Sequence, residues 1–195
     1  MRDIIRMVVV LTVICGASGL TLSFVKQVTE EPREYSYLKF VKEPSIKAVL
    51  SGYDNDPIKD RLTLTLGKDE KGLPVEKQFF PAKKAGKVFA VAFDASAYGY
   101  GGPISVMVGV NEQGAVDAIS IMSHSETPGL GARTTEPSFT EQFKGLNLNG
   151  DLKLAGDGGK VQAISGASIS SGAVVRAVRQ ALELLPKIKQ EVFSS

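Results

Sequence analysis

The sequence predicts an α+β protein in which one membrane-spanning helix precedes an extracytoplasmic, mostly antiparallel sheet and a long carboxy-terminal helix. Three observations predict it: an uncharged run at residues 7–25, β-rich segments in the middle of the chain, and a helical apolar pattern at residues 170–185. The chain has 195 residues, of which 43% are hydrophobic and 23% charged, so a disordered or collagen-like protein is excluded. This length favours one main core.

The amino-terminal run contains 19 residues without a charge, from position 7 to position 25. A helix of that length extends roughly 28 Å, close to the ~30 Å hydrocarbon core of a bilayer. Arg2 and Arg6 precede the run, and the positive-inside rule therefore favours an amino end in the cytoplasm. The alternative is a cleaved signal peptide, for which residues 17–19 supply small side chains. We expect an uncleaved anchor over residues 1–26.

The middle of the chain contains several strand patterns. Residues 61–66 alternate between polar and apolar side chains, and residues 87–93 are β-rich, which is typical of strands with a buried face. Residues 104–110 and 115–122 flank the four residues Asn-Glu-Gln-Gly and predict a hairpin. Residues 160–164 predict one further short strand.

Two helices are predicted after the hairpin. Residues 137–143 form a short amphipathic pattern, and residues 170–185 place a continuous apolar stripe on one face. Pro186 follows directly and is expected to end the second helix, because proline lacks the N–H that continues a helix.

The composition excludes several classes of site. One cysteine and one histidine cannot build a disulfide framework, a Cys-ligated iron–sulfur cluster or a Cys/His zinc site within this chain. The 23 basic and 21 acidic residues give a net charge of +2, and no basic patch indicates nucleic acid. No metal site, catalytic residue or nucleophile–base pair is evident, so redox chemistry here requires an organic cofactor.

The segment ISGASISSG, at residues 164–172, joins the last predicted strand to the long helix. Free backbone N–H groups and the helix dipole favour an anion at such a position. Ser168 or Ser170 can also cap the helix. Taken alone, the segment is therefore most simply an ordinary capped helix start.

Four pieces of sequence carry a family resemblance. The run SGASISSGAVVRAV is similar to the S/D-G-A-T/S-x-T/S motif of the FMN-binding domain in bacterial Rnf and Nqr respiratory complexes. The run HSETPGLG at 124–131 resembles the H-x-E-T-P-G-L-G segment of that family. YGGPI at 100–104 and FPAK at 80–83 resemble two further pieces, in the family order. The resemblance implies an FMN-binding domain at residues 75–195, after a stalk and first part of the soluble domain at 27–74.

The resemblance also implies a covalent cofactor. Ser168 stands where the family usually has a threonine whose hydroxyl is esterified to the FMN phosphate. In the family, a flavin transferase that uses FAD and Mg²⁺ makes this bond. Serine has the same hydroxyl oxygen as threonine, which is the atom that the ester requires. Three residues are expected around the phosphate and ribityl chain, with a fourth hydroxyl behind them: Ser165, Gly166, Ala167 and Ser170.

The flavin ring is expected to meet the upstream loop. By resemblance, Leu130 and Gly131 face the isoalloxazine, and polar groups of Glu126 and Thr127 meet its hydrogen-bonding edge. Lys153 resembles a family lysine near the flavin.

The function implied by resemblance is electron transfer within a membrane-bound, ion-translocating complex. Such a complex passes electrons between ferredoxin and NAD while it moves Na⁺ or H⁺. The chain length favours the RnfG type over its longer Nqr counterpart, NqrC. Expected partners are the other proteins of the Rnf-type complex, the flavin transferase and the bacterial cytoplasmic membrane, with the soluble domain on the periplasmic or extracellular side. A membrane-tethered scaffold or ligand-binding module without flavin is the alternative from another class.

Overall fold

The computed structural model describes residues 2–68, 72–148 and 151–193. The chain forms two compact units, of which the first ends at Val41 and the second begins at Lys42. Helix α1, Arg2–Tyr37, makes up most of the first unit and is followed by a π-helical turn at Leu38–Lys42. Within α1, the segment Arg2–Thr29 is long and apolar enough to cross a membrane, and its most apolar stretch is not buried within the protein. The predicted amino-terminal apolar helix is therefore confirmed.

The second unit begins with a short helix, α2, at Glu43–Val49 and contains a five-stranded antiparallel sheet. Each strand pairs with the next along the chain, so the sheet is a simple meander. The predicted antiparallel sheet is confirmed. Its strands are β1 Leu62–Lys68, β2 Pro74–Lys84, β3 Lys87–Tyr98, β4 Pro103–Asn111 and β5 Val116–Ser123.

The long helix α4, Ser168–Phe193, packs across β3 and β4 and closes the core. Alanines at 173, 177 and 181 are fully buried, and their small side chains let the helix lie close to the sheet. Larger buried side chains fill the space around them, including the Phe79 and Phe93 rings, whose centroids are 5.1 Å apart. Packing of this apolar face, rather than intrinsic helix propensity, is what stabilises a helix in a protein.

Two local predictions are wrong. Residues 160–164 do not form a strand: only Val161 pairs, in an isolated parallel bridge with Leu154. Pro186 does not end α4, which continues to Phe193. Ile188 and Val192, beyond the proline, are buried in the core, and this burial offsets the hydrogen bond that proline removes.

The segment between β5 and α4 carries the remaining short helices. A 3₁₀ turn at Gly131–Thr135 leads into α3, Pro137–Thr140, which continues as a 3₁₀ turn at Glu141–Phe143. The predicted short helix at 137–143 is therefore present as two successive turns. It buries Phe139 and Phe143 in the core, with ring centroids 5.5 Å apart.

Candidate functional site

The turn before α4 has a fixed conformation. The Ala167 N–H donates to the Ile164 carbonyl at 2.9 Å, and Gly166 has a φ of +77°, which favours glycine. The Ser171 hydroxyl donates to the Ala167 carbonyl at 2.9 Å and accepts the Ile164 N–H at 3.0 Å. Ser171 therefore locks the turn that leads into Ser168.

The serines at the start of α4 differ in their accessibility. Ser170 and Ser171 are 2% and 0% exposed, and the hydroxyls of both are already hydrogen-bonded within the protein. Ser168 is exposed at the first residue of the helix. Of these three hydroxyls, only that of Ser168 is open to a reagent from solution.

A cavity of about 620 Å³ opens beside Ser168. This size lies within the ~300–1,000 Å³ range of ligand and cofactor sites. It brings together the three predicted segments 100–104, 124–131 and 164–172, which are distant in sequence. The lining residues are Tyr100, Glu126, Thr127, Leu130, Gly131, Gly166, Ala167, Ser168, Ile169 and Ser170.

Eight of the ten predicted site residues line this cavity, and two do not. Ser165 is exposed in the turn before it. Lys153 is exposed in a separate turn, where its N–H donates to the Asp151 carbonyl at 2.9 Å and its own carbonyl accepts the Val161 N–H at 3.1 Å. The fold therefore places the loop at residues 124–131 beside the serine motif and leaves Lys153 outside the lining.

The Glu126 carboxylate is held by hydrogen bonds within the protein. The residue is 5% exposed, and both of its oxygens already have protein donors. Oε1 accepts the Gly101 N–H at 3.0 Å, and Oε2 accepts the Ser170 hydroxyl at 2.5 Å. Glu126 thus connects three segments: the turn after β3, its own loop and the first turn of α4.

Glycines give the Glu126 carboxylate the space that it occupies. A Cβ on Gly131 would lie 2.5 Å from Glu126 Oε2 and 2.6 Å from Ser170 Oγ. A Cβ on Gly99 would collide with Glu126 Oε1. Any larger residue at these positions would displace the carboxylate from its hydrogen bonds.

Two further residues line the cavity, Tyr100 and Ile169, and neither is among the predicted site residues. Their side chains are 75% and 56% exposed, and Leu130, on the neighbouring loop, is 46% exposed. Three large side chains with apolar surface are thus accessible beside Ser168. Tyr100 belongs to the family segment at 100–104 and was available as a signal. Ile169 occupies the variable position of the serine motif, so the motif gave no reason to select it.

No group of three or more His, Cys, Asp or Glu side chains suitable for a metal occurs within the described ranges. The cavity instead combines an exposed hydroxyl, accessible apolar side chains and a buried carboxylate that is anchored by the protein. Such a lining suits an organic ligand with an apolar body.

Comparison with known proteins defines the class of protein. The model of the FMN-binding domain family matches residues 99–183, a range that includes the entire cavity lining. NqrC of Shewanella oneidensis shares the fold, with a TM-score of 0.53 at 20% identity over 82% of this chain and 77% of that one. The predicted resemblance to the FMN-binding domain family is confirmed over residues 99–183.

The relatives define the family more closely. The G subunit of the proton-translocating ferredoxin:NAD(+) oxidoreductase complex of Clostridium ljungdahlii is 31% identical over 175 residues, which are 89% of this chain and 86% of that protein. The G subunit of the ion-translocating oxidoreductase complex of Stutzerimonas stutzeri is 35% identical over 137 residues, 67% of this chain but only 58% of that protein. The chain belongs to the RnfG family, the G subunits of ion-translocating oxidoreductase complexes.

Proposed function

We propose that this chain is the electron-carrying subunit of a membrane-bound, ion-translocating complex of the Rnf type, with FMN esterified to Ser168. The observation that carries the proposal is the exposed Ser168 hydroxyl at the edge of a cofactor-sized cavity, within the range that matches the FMN-binding family. Bound FMN supplies reversible electron transfer, and the chain supplies attachment, orientation and electrostatics.

The residues around Ser168 fit a phosphate ester. Gly166 and Ala167 add little side-chain volume on one side of the hydroxyl. The first N–H groups of α4 have no acceptor within the helix, as at every helix start, and they favour a phosphate there. Tyr100, Leu130 and Ile169 offer accessible apolar surface for the ring system.

Attachment requires a group transfer by the flavin transferase with FAD and Mg²⁺. Ser168 Oγ attacks the phosphorus that carries the flavin side of FAD, and a new O–P bond forms. The pyrophosphate P–O bond breaks, AMP leaves, and the hydroxyl proton passes to the transferase or to water. No electrons are exchanged, and the chain gains the mass of FMN minus water.

We place the soluble unit on the periplasmic or extracellular side of a bacterial cytoplasmic membrane. Arg2 and Arg6 at the amino end of α1 support this orientation through the positive-inside rule. A carboxy-terminal alkaline phosphatase fusion tests it, because this enzyme is active only outside the cytoplasm. A second fusion at the same position carries a partner that fluoresces only in the cytoplasm. If the phosphatase is inactive and this partner is fluorescent, the orientation is the opposite of the one proposed.

Fluorescence in a denaturing gel tests the cofactor proposal. The chain is co-expressed with a flavin transferase, and the wild-type band is expected to fluoresce while Ser168→Ala is dark. Ser165→Ala and Ser170→Ala are expected to retain more flavin than Ser168→Ala. Flavin on the Ser168→Ala chain would disprove the attachment site, and a dark wild-type band would support the unflavinylated scaffold.

A further inference from the structure

Arg176 is an exposed cation whose guanidinium is held in one place. Nη2 donates to the Tyr98 carbonyl, at the end of β3, at 2.8 Å. Nη1 lies 3.3 Å from the point that a Cβ on Gly172 would occupy. No carboxylate among the described residues lies within 4.0 Å of this guanidinium. The protein thus fixes the direction of a positive charge without neutralising it.

The direction is towards Ser168. Ser168, Gly172 and Arg176 are four residues apart in α4 and therefore form one row along the helix surface. Helical side chains lean towards the amino end, and the Arg176 guanidinium lies back over Gly172, which has no side chain of its own. Leu154 Cδ1 lies 3.7 Å from the point that a Cβ on Gly172 would occupy and flanks the guanidinium there.

The distance is short enough for a phosphate to bridge. Side chains four residues apart on a helix have Cβ atoms about 5–6 Å apart, so Nη1 lies at most about 9 Å from Ser168 Cβ. A phosphate on Ser168 Oγ extends from that Cβ by three further bonds. The 9 Å limit is reached only if Ser168 Cβ, the Cβ position at Gly172 and Nη1 lie on one line, and any bend brings Nη1 closer to such a phosphate.

We propose that Arg176 binds the phosphate of the flavin nucleotide at Ser168, both in FAD during transfer and in the finished ester. This proposal rests on the proposed function, because it requires a phosphate at Ser168. A planar guanidinium makes short, charge-assisted hydrogen bonds to phosphate oxygens, and Nη1, which lies over Gly172, can donate one while Nη2 holds the Tyr98 carbonyl. Arg176 also stabilises negative charge that develops on the phosphate during attack by Ser168.

The alternative is that Arg176 only ties α4 to the end of β3 through Tyr98. Arg179 provides the matched control, since it lies in the same helix and its guanidinium donates to the Leu152 carbonyl at 2.5 Å. Replacing either arginine by glutamine removes one positive charge and one hydrogen bond to a backbone carbonyl. Only Arg176 lies on the row that contains Ser168.

The experiment uses the detergent-purified full chain with purified flavin transferase, FAD and Mg²⁺. Initial rates of covalent labelling are read from gel fluorescence for Arg176→Gln, Arg176→Lys, Arg179→Gln and Ser168→Ala. We expect Arg176→Gln to slow labelling roughly three- to tenfold. Arg176→Lys is expected to recover part of the rate because lysine keeps the positive charge, and only part because it lacks the planar guanidinium. Arg179→Gln is expected to stay within about twofold of wild type.

A second measurement examines the finished ester. In the ³¹P NMR spectrum of fully labelled chains, the phosphodiester resonance is expected to move in Arg176→Gln and to coincide with wild type in Arg179→Gln. Wild-type labelling by Arg176→Gln, or an equal loss in both glutamine variants, would overturn the role of Arg176. Labelling of Ser168→Ala would instead overturn the proposed attachment, so the two failures are distinguishable.

Discussion

The hydrogen bond between Glu126 and Ser170 lies directly beside Gly131. We therefore expect even alanine, which adds only a methyl group at position 131, to lower the stability of the protein. In Gly131→Ala, the new Cβ would lie 2.5 Å from Glu126 Oε2 and 2.6 Å from Ser170 Oγ. Both partners are buried at 5% and 2% exposure, so neither can turn into solvent to relieve the collision. The hydrogen bond between them has to open.

The magnitude follows from the groups that lose their partners. Leaving a buried donor or acceptor unsatisfied costs about 1–3 kcal/mol, and we expect Gly131→Ala to lower the free energy of unfolding by about 2 kcal/mol. Gly156→Ala is the matched control, because nothing lies within 4 Å of its new Cβ and its φ is not positive. That substitution is expected to stay within about 0.5 kcal/mol of wild type.

Urea unfolding of the detergent-solubilised full chain, followed by circular dichroism, measures both variants. Flavin labelling of the same samples shows whether the displaced carboxylate also disturbs the turn at Ser168, which we expect to slow labelling. If Gly131→Ala unfolds at the same urea concentration as Gly156→Ala and labels at the wild-type rate, Glu126 does not hold the site together.

Three further predictions concern other parts of the chain. Ser168→Thr is expected to accept flavin, because threonine presents the same hydroxyl oxygen; an unlabelled band in the gel would show that the transferase requires the smaller side chain here. Pro186→Ala restores a helical N–H in α4 and is expected to raise the free energy of unfolding by about 1–3 kcal/mol in urea titrations, whereas a loss would show that the proline is needed there. Burial lowers the pKa of Lys77 below its usual 10.5, with the Asp94 carboxylate opposing the shift and Lys42 adding to it. Between this lowered pKa and pH 10.5, Lys77 holds its proton in the unfolded chain more than in the folded one, so its titration raises the free energy of unfolding as the pH increases through this range. We expect Lys77→Gln to flatten this rise. An unchanged slope of unfolding free energy against pH in Lys77→Gln would contradict the prediction.

Elements in which apolar residues follow a clear pattern could be predicted from the sequence. The hairpin of β4 and β5 has a turn-rich loop between two β-rich runs, and α4 has one continuous apolar stripe. Strand β2 was not predicted as a strand, because Glu76, Lys77 and Gln78 interrupt any apolar alternation in its first half. Its pairing with β1 and β3 supplies the order that its own residues do not indicate.

The two wrong predictions have the same physical origin. Residues 160–164 have the composition of a strand but lack a neighbouring strand beyond the single bridge at Val161. Pro186 is unfavourable in a helix, yet the core accepts Ile188 and Val192 from the following turns. In both cases contacts distant in sequence override the local preference.

The site could be predicted as a set of residues but not as an arrangement. Motifs selected Glu126 and Ser170 separately, and no local pattern could show that their side chains bond across 44 positions of sequence. The contact of Arg176 with Tyr98 spans 78 positions and belongs to no motif. Distances of this kind require the folded chain.

Whether FMN is esterified to Ser168 can be decided by intact mass spectrometry of the chain extracted from its native membrane. We expect a mass equal to that of the polypeptide plus FMN minus one water, with the addition confined to the peptide that contains Ser168. A mature chain that weighs only as much as its amino acids, from cells with an active flavin transferase, would contradict it.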